Sequence, residues 1–235
     1  MGGLSALLWA SSGGDVVRLV GLLEAALADP ALTRAGELAR GAEDVDVTAP
    51  AALRPFLAAT AARAKSVLAV TATSREADDL AEALSSFLPP DQVAAYPSWE
   101  TLPHERLSPR SDTVGRRLSV LRRLAHPELA GPLRVVVAPV RSLLQPQLKG
   151  LGDLMPVELT PGASADLEEV AHRLSDLAYA RVDLVTKRGE FAVRGGLLDV
   201  FPPTEEHPLR VEFWGDDVEE IRSFAVADQR TIESV

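Results

Sequence analysis

Four arginines, Arg116, Arg117, Arg122 and Arg123, stand at i, i+1, i+6 and i+7 in a stretch with helical spacing. Guanidinium groups in that pattern share one broad face. Such a face suits contact with a phosphate backbone or an acidic partner domain, and a merely solvated basic face fits it as well. They belong to a basic island: residues 101–150 carry +6, against −6 for residues 1–100 and −10 for residues 151–235. The chain as a whole is at −10, which argues against a protein that coats nucleic acid, because neutralising phosphates needs a clustered excess of Lys and Arg.

Other chemistry is sparse. The short run Val45–Val47 reads as the first strand of an α/β unit, the place where a phosphate loop would follow. It leads into Thr48-Ala49-Pro50-Ala51-Ala52-Leu53-Arg54, with no glycine to let N–H groups wrap a phosphate and no Lys followed by a hydroxyl. Pro50 also removes a donor. His104, His126, His172 and His207 sit singly, without the i,i+4 spacing of a zinc helix. The acidic pairs Asp78-Asp79, Glu205-Glu206 and Asp216-Asp217 read as solvated charge on a helix and in turns. Glu100, Glu105 and Asp112 share a loop but have no companion Lys. No catalytic residue, metal site or cofactor is expected.

Elements able to position the basic island follow from hydrophobic period. Helices are expected over Gly13–Ala28, Pro50–Ala64, Ser74–Phe87 and Thr113–Ala125, with strands at Ser66–Thr71, Gln92–Tyr96 and Leu133–Ala138. VLAVTA and LRVVVAP are apolar without alternation, as in parallel strands covered on both faces. The proline-rich connection from Tyr96 to Pro109 carries Trp99 and Leu102, which either plug the sheet edge or serve function.

Beyond Leu148-Lys149-Gly150-Leu151-Gly152 the pattern changes. A helix begins near Ser164, with Asp166, Glu168 and Glu169 at its positive end. Alternating runs Glu190–Arg194, Leu197–Phe201 and Leu209–Trp214 follow, separated by polar, Gly- and Pro-rich turns, as in an antiparallel meander with one wet face. The expected fold class is α/β, a parallel-sheet domain over 1–147 followed by a small α+β domain with antiparallel strands over 148–235. With no cysteine and no apolar run of membrane-spanning length, the chain is expected to be soluble and cytoplasmic.

Two segments carry a resemblance. YPSWETLPHERLSPRSDTVGRRLSVLRRL resembles a segment of the transcription-repair coupling factors (Mfd), and ARVDLVTKRGEFAVRGGLLDVFP with LRVEFWGDDVEEIRSFAVADQRT is similar to the small domain that family shares with the excision-repair protein UvrB. The resemblance implies a helicase-like first domain whose ATP site is lost, as in Mfd, and no damage-probing hairpin of the UvrB kind. It implies that the small domain docks UvrA through Arg181, Arg194 and Phe201; the residues alone leave open that Arg181 and Arg194 pair internally with Asp183, Glu190 or Asp199. Ala192 stands where UvrB has a further arginine. In the full-length protein the implied partners are RNA polymerase and DNA, with ATP used elsewhere in the chain and no membrane contact. The alternative is a nucleotide- or DNA-binding domain of a UvrB-like repair enzyme using the basic island.

Overall fold

The computed structural model describes residues 20–41, 44–101 and 108–234. Among these, residues 20–109 with 116–154 form one compact unit, and residues 110–115 with 155–234 form another.

The first unit contains α1 (Val20–Leu27), α2 (Pro30–Leu38), α3 (Arg54–Ala62), β1 (Val67–Thr71), α4 (Ser74–Phe87), β2 (Val93–Ala95), most of α5 (Ser111–Ala125), α6 (Pro127–Ala130), β3 (Val135–Pro139) and α7 (Val140–Leu144). Local chemistry sets the helix starts. Asp29 Oδ1 accepts from the N–H groups of Ala31 and Leu32 at 2.8 and 3.2 Å, and Thr73 Oγ1 accepts from Glu76 N–H at 3.2 Å. Each satisfies donors that a helix N-terminus leaves open.

The sheet is parallel, in the order β1-β3-β2. All five residues of β3 are buried. Val135 and Val137 pack among Ala59, Ala77, Leu84 and Phe87, while Val136 and Ala138 pack with Tyr96, Val120 and Leu133. An unbroken apolar run therefore does mark the strand covered on both faces. On β1 the expectation fails: Val67 and Ala69 pack inward, but Leu68 and Val70 are exposed because the second apolar layer stops at β3. The expected strand Val45–Val47 is irregular and exposed, so β1 is the first strand of this sheet, and the segment before Arg40 forms α2. Residues 13–19 of the expected first helix, together with Leu102, His104 and Glu105, lie outside the described residues.

The second unit contains α8 (Leu167–Asp176) and six strands: β4 (Ala180–Arg181), β5 (Glu190–Arg194), β6 (Leu197–Val200), β7 (Leu209–Trp214), β8 (Asp217–Phe224) and β9 (Thr231–Ser234). Their sheet order equals their chain order; β4 runs parallel to β5 and every other pair is antiparallel. Asp166 Oδ1 caps α8 by accepting from Glu168 and Glu169 N–H at 2.7 and 3.2 Å. Val170, Ala171 and Leu174 of this helix cover Phe191, Leu198, Val200, Val211, Phe213 and Ile221. The fold is thus α/β, a parallel sheet followed in sequence by a mostly antiparallel one.

Candidate functional site

Because strand side chains alternate, the residues between those core positions emerge on the other face of the six-stranded sheet. Register brings Ala192, Asp199, Arg210 and Arg222 into one row, and Arg194, Leu197, Glu212 and Glu220 into the next. Asp199 is only 1% exposed. A carboxylate in that position must be paired, and it is paired twice. Arg210 donates from Nε and Nη2 at 2.6 and 2.8 Å, and Arg194 Nη2 donates at 2.5 Å. The hydrogen bonds to Asp199 raise the Arg210 guanidinium above its ordinary value, against the opposing effect of burial. Arg210 also lies over the Phe224 ring, 4.7 Å from its centre. Two guanidinium groups share this carboxylate, and with Arg222, Glu212 and Glu220 beside them the cluster balances three arginines against three carboxylates. With side-chain exposures of 47% for Arg194 and 18% for Arg210, Arg194 is the guanidinium of the two that faces water. Alongside, Arg222 pairs with Glu212 and, at 3.6 Å, with Glu220.

Phe201 sits differently from expectation. It is 6% exposed, packed with Val185, Ala192 and Phe224, and the Arg188 guanidinium lies 5.0 Å from its ring centre. Its ring therefore lies beneath the surface, supporting the cluster. Ala192 is buried in the same cluster, which explains why a small side chain suits that position. Arg181, on β4, is in register with Phe191 and so lies on the α8 face, opposite to Arg194. Ala180 and Val182 donate to Gly189 and Phe191 carbonyls, which turns Arg181's own N–H and C=O to the open edge of the sheet. Among the described residues Arg181 makes no ion pair. Glu190, one of the partners it could have had, instead accepts from Thr186 and Lys187 N–H, both at 2.8 Å. Burial alone would raise the Glu190 carboxyl, but these bonds, with the Thr186 hydroxyl and the Lys187 charge, hold it below its ordinary value.

Residues 157–235 match the family model described as the UvrB interaction domain. Over 221 residues, 92% of this chain, the sequence is 54% identical to the transcription-repair-coupling factor of Mycobacterium tuberculosis. The protein of the same description from Bacillus subtilis is 33% identical over 73% of the chain, and that of Escherichia coli 35% identical over 58%. The chain belongs to the transcription-repair-coupling factor family, as its N-terminal, UvrB-like region. It spans 18% of the length of the Mycobacterium relative, and 14% and 12% of the other two.

Within this coupling-factor region the basic island is not the shared exposed face that its spacing suggested. Arg117 is 0% and Arg123 6% exposed. Arg117 is sandwiched between Tyr96 and Trp99, with its guanidinium carbon 4.3 and 4.1 Å from their ring centres, and Nη1 donates to Pro97 O at 2.5 Å. Burial pulls the Arg117 guanidinium down and pushes the Tyr96 hydroxyl up, each opposed by the other's charge. Arg123 donates to the Asp91 carbonyl, and Arg122 Nη1 donates to Leu154 O at 3.2 Å. Arg116 is exposed and Arg122 half-buried. The reason is the helical stripe Thr113, Arg117, Val120, which faces inward together with Arg123.

Sequence reading offered Asp199 as a possible partner of Arg194 but missed Arg210 beside it, and it took Glu205 as solvated; Glu205 is buried, and burial, with the Glu205 charge second, pushes the Tyr179 hydroxyl up to about 12. The signal for the first was present: Asp199 is a single charge inside the apolar run LLDVF, and a buried carboxylate requires a cationic neighbour. Among the described residues no cluster of three His, Asp or Glu could hold a metal ion, and no helix is long and apolar enough to cross a membrane.

Proposed function

We propose that this region of the coupling factor recruits UvrA to polymerase stalled at DNA lesions, without catalysing a reaction itself. The observation that carries the reading is the Arg194–Asp199–Arg210 clamp, which holds the half-exposed Arg194 guanidinium in place at the surface. A guanidinium already held in place loses less side-chain freedom when it meets a carboxylate, and arginine is a common interface anchor. The description of the matched family model, the UvrB interaction domain, supports placing the docking function in residues 148–235.

Residues 1–147 are assigned as a degenerate helicase-like domain. The turn after β1 is Ala72-Thr73, followed at once by α4, and it offers neither glycine nor Lys to a nucleotide. The full-length cytoplasmic protein would bind RNA polymerase and DNA and consume ATP through other domains. Since Arg181 and Arg194 lie on opposite sheet faces, UvrA would reach both by wrapping the β4 edge.

Calorimetric titration of the chain with UvrA tests this. Arg194→Ala is expected to weaken binding by roughly 2 kcal/mol with an unchanged fold, and Arg181→Ala to weaken it as well. A wild-type chain that does not bind UvrA would overturn the reading.

A further inference from the structure

At the turn end of the sheet, Trp214 is 80% exposed, the only aromatic among the large exposed apolar side chains of the described residues. A single exposed apolar residue needs no special explanation. Three features set this one apart. First, β7 alternates, so the indole emerges on the same face as Arg210 and Glu212, the face on which the Arg194 guanidinium is half-exposed. Second, Trp214 lies two residues beyond Glu212, which is in the row of Arg194 and Leu197, two strands from Arg194. Strand spacing and rise put the two Cα atoms about 12 Å apart. Third, the backbone joining them is rigid. Phe213 is buried in the core and its N–H donates to Gly196 O at 2.8 Å, while a Cβ on Gly196 would lie 2.7 Å from Phe213 O. The β5–β6 turn is therefore pressed against β7 beside Trp214, which holds the tryptophan at a set distance from Arg194.

We infer that Trp214 is a second anchor of the docking interface, seated in an apolar recess of the partner about 12 Å from the carboxylate that meets Arg194. The inference rests on the docking reading above, and its partner is the UvrA surface. A charge and a broad aromatic at fixed separation select a partner with both complements, whereas either alone would be met by many surfaces. Tryptophan ordinarily removes roughly 150–250 Å² from water, so the recess would supply affinity while Arg194 supplies register.

The test compares UvrA titrations of the 235-residue chain as wild type, Trp214→Ala, Trp214→Gln, Trp214→Phe and Arg194→Ala, with unfolding midpoints measured in parallel. Trp214→Ala and Trp214→Gln should each raise Kd at least about tenfold with unchanged midpoints, and Trp214→Phe should raise it less than about threefold. In the wild-type complex, acrylamide quenching of the fluorescence that Trp214→Phe removes should fall. If both Trp214→Ala and Trp214→Gln bind like wild type while Arg194→Ala binds weakly, the inference is overturned and the docking reading stands. If the wild-type chain fails to bind, both fall.

Discussion

Arg117 in the parallel-sheet unit and Arg194 in the antiparallel one are both held by their neighbours, yet to opposite ends. Arg117 is walled in by two aromatic rings and gives Nη1 to the Pro97 carbonyl. Its charge is spent on holding the connection after β2 against α5. Arg194 has a carboxylate partner, but Arg210 already holds that carboxylate by two donors, so Arg194 fixes its own position while keeping its charge outward. Whether an arginine serves the interior or a partner is decided by what neutralises it. Aromatic faces and a carbonyl accommodate the cation inside, whereas a carboxylate already held by a second guanidinium leaves Arg194 half-exposed at the surface.

The contrast can be broken by substitution. Arg117→Ala should have the largest effect, about 3 kcal/mol off the stability of its unit, from a cavity between two rings and the lost cation–π contacts. Arg117→Lys should recover only part of that, since a compact ammonium cannot fill the planar slot. Urea unfolding followed by tryptophan fluorescence reads both. A loss no greater than that of Arg194→Ala, expected within about 1 kcal/mol because the group is half-exposed, would erase the distinction. Asp199→Ala should cost roughly 3 kcal/mol in the second unit, by leaving two guanidinium groups without their shared acceptor. It should also weaken UvrA binding by freeing Arg194 to wander, and Asp199→Ala binding UvrA as tightly as wild type would show that the clamp does not prepare Arg194. The smallest effect concerns Glu190. Its carboxyl is depressed in the folded chain, so the stability it contributes is present above the unfolded value of 4.5 and is lost as pH falls through the lower folded value. Glu190→Gln should therefore flatten the dependence of unfolding free energy on pH below 4.5, and parallel curves for the two proteins would refute the assignment.

Much of the fold was legible because period and chemistry agreed. The α4 boundaries follow from the Thr73 cap and a clean amphipathic stripe, and β5 and β7 from alternation closed by Gly195-Gly196 and Gly215. The three residues Val45–Val47 alternate just as well, but no neighbouring strand takes up their hydrogen bonds, and pairing is not visible in one segment. β4 escaped notice for a related reason: two residues have no period, and only their pairing with β5 makes a strand. In the candidate site, Arg194 on its alternating strand could be placed on a face from sequence. That Arg181 points to the other face could not, because it depends on β4 running parallel to β5 in one particular register. The burial of Arg117 left a trace in the inward stripe it shares with Thr113 and Val120, yet an arginine in such a stripe reads as surface until the two rings that receive it are placed.

The brevity of β4 has a consequence for how the molecule behaves in crowded solution. An open sheet margin is a template on which identical chains can add strands and grow into aggregates. Of the sheet's two margins, the one at β4 is two residues long, and one of them bears a cation. So little unpaired backbone offers no foothold for a second molecule's strand, and like charges would meet where two copies tried to join. The β4 margin is thus guarded against self-association.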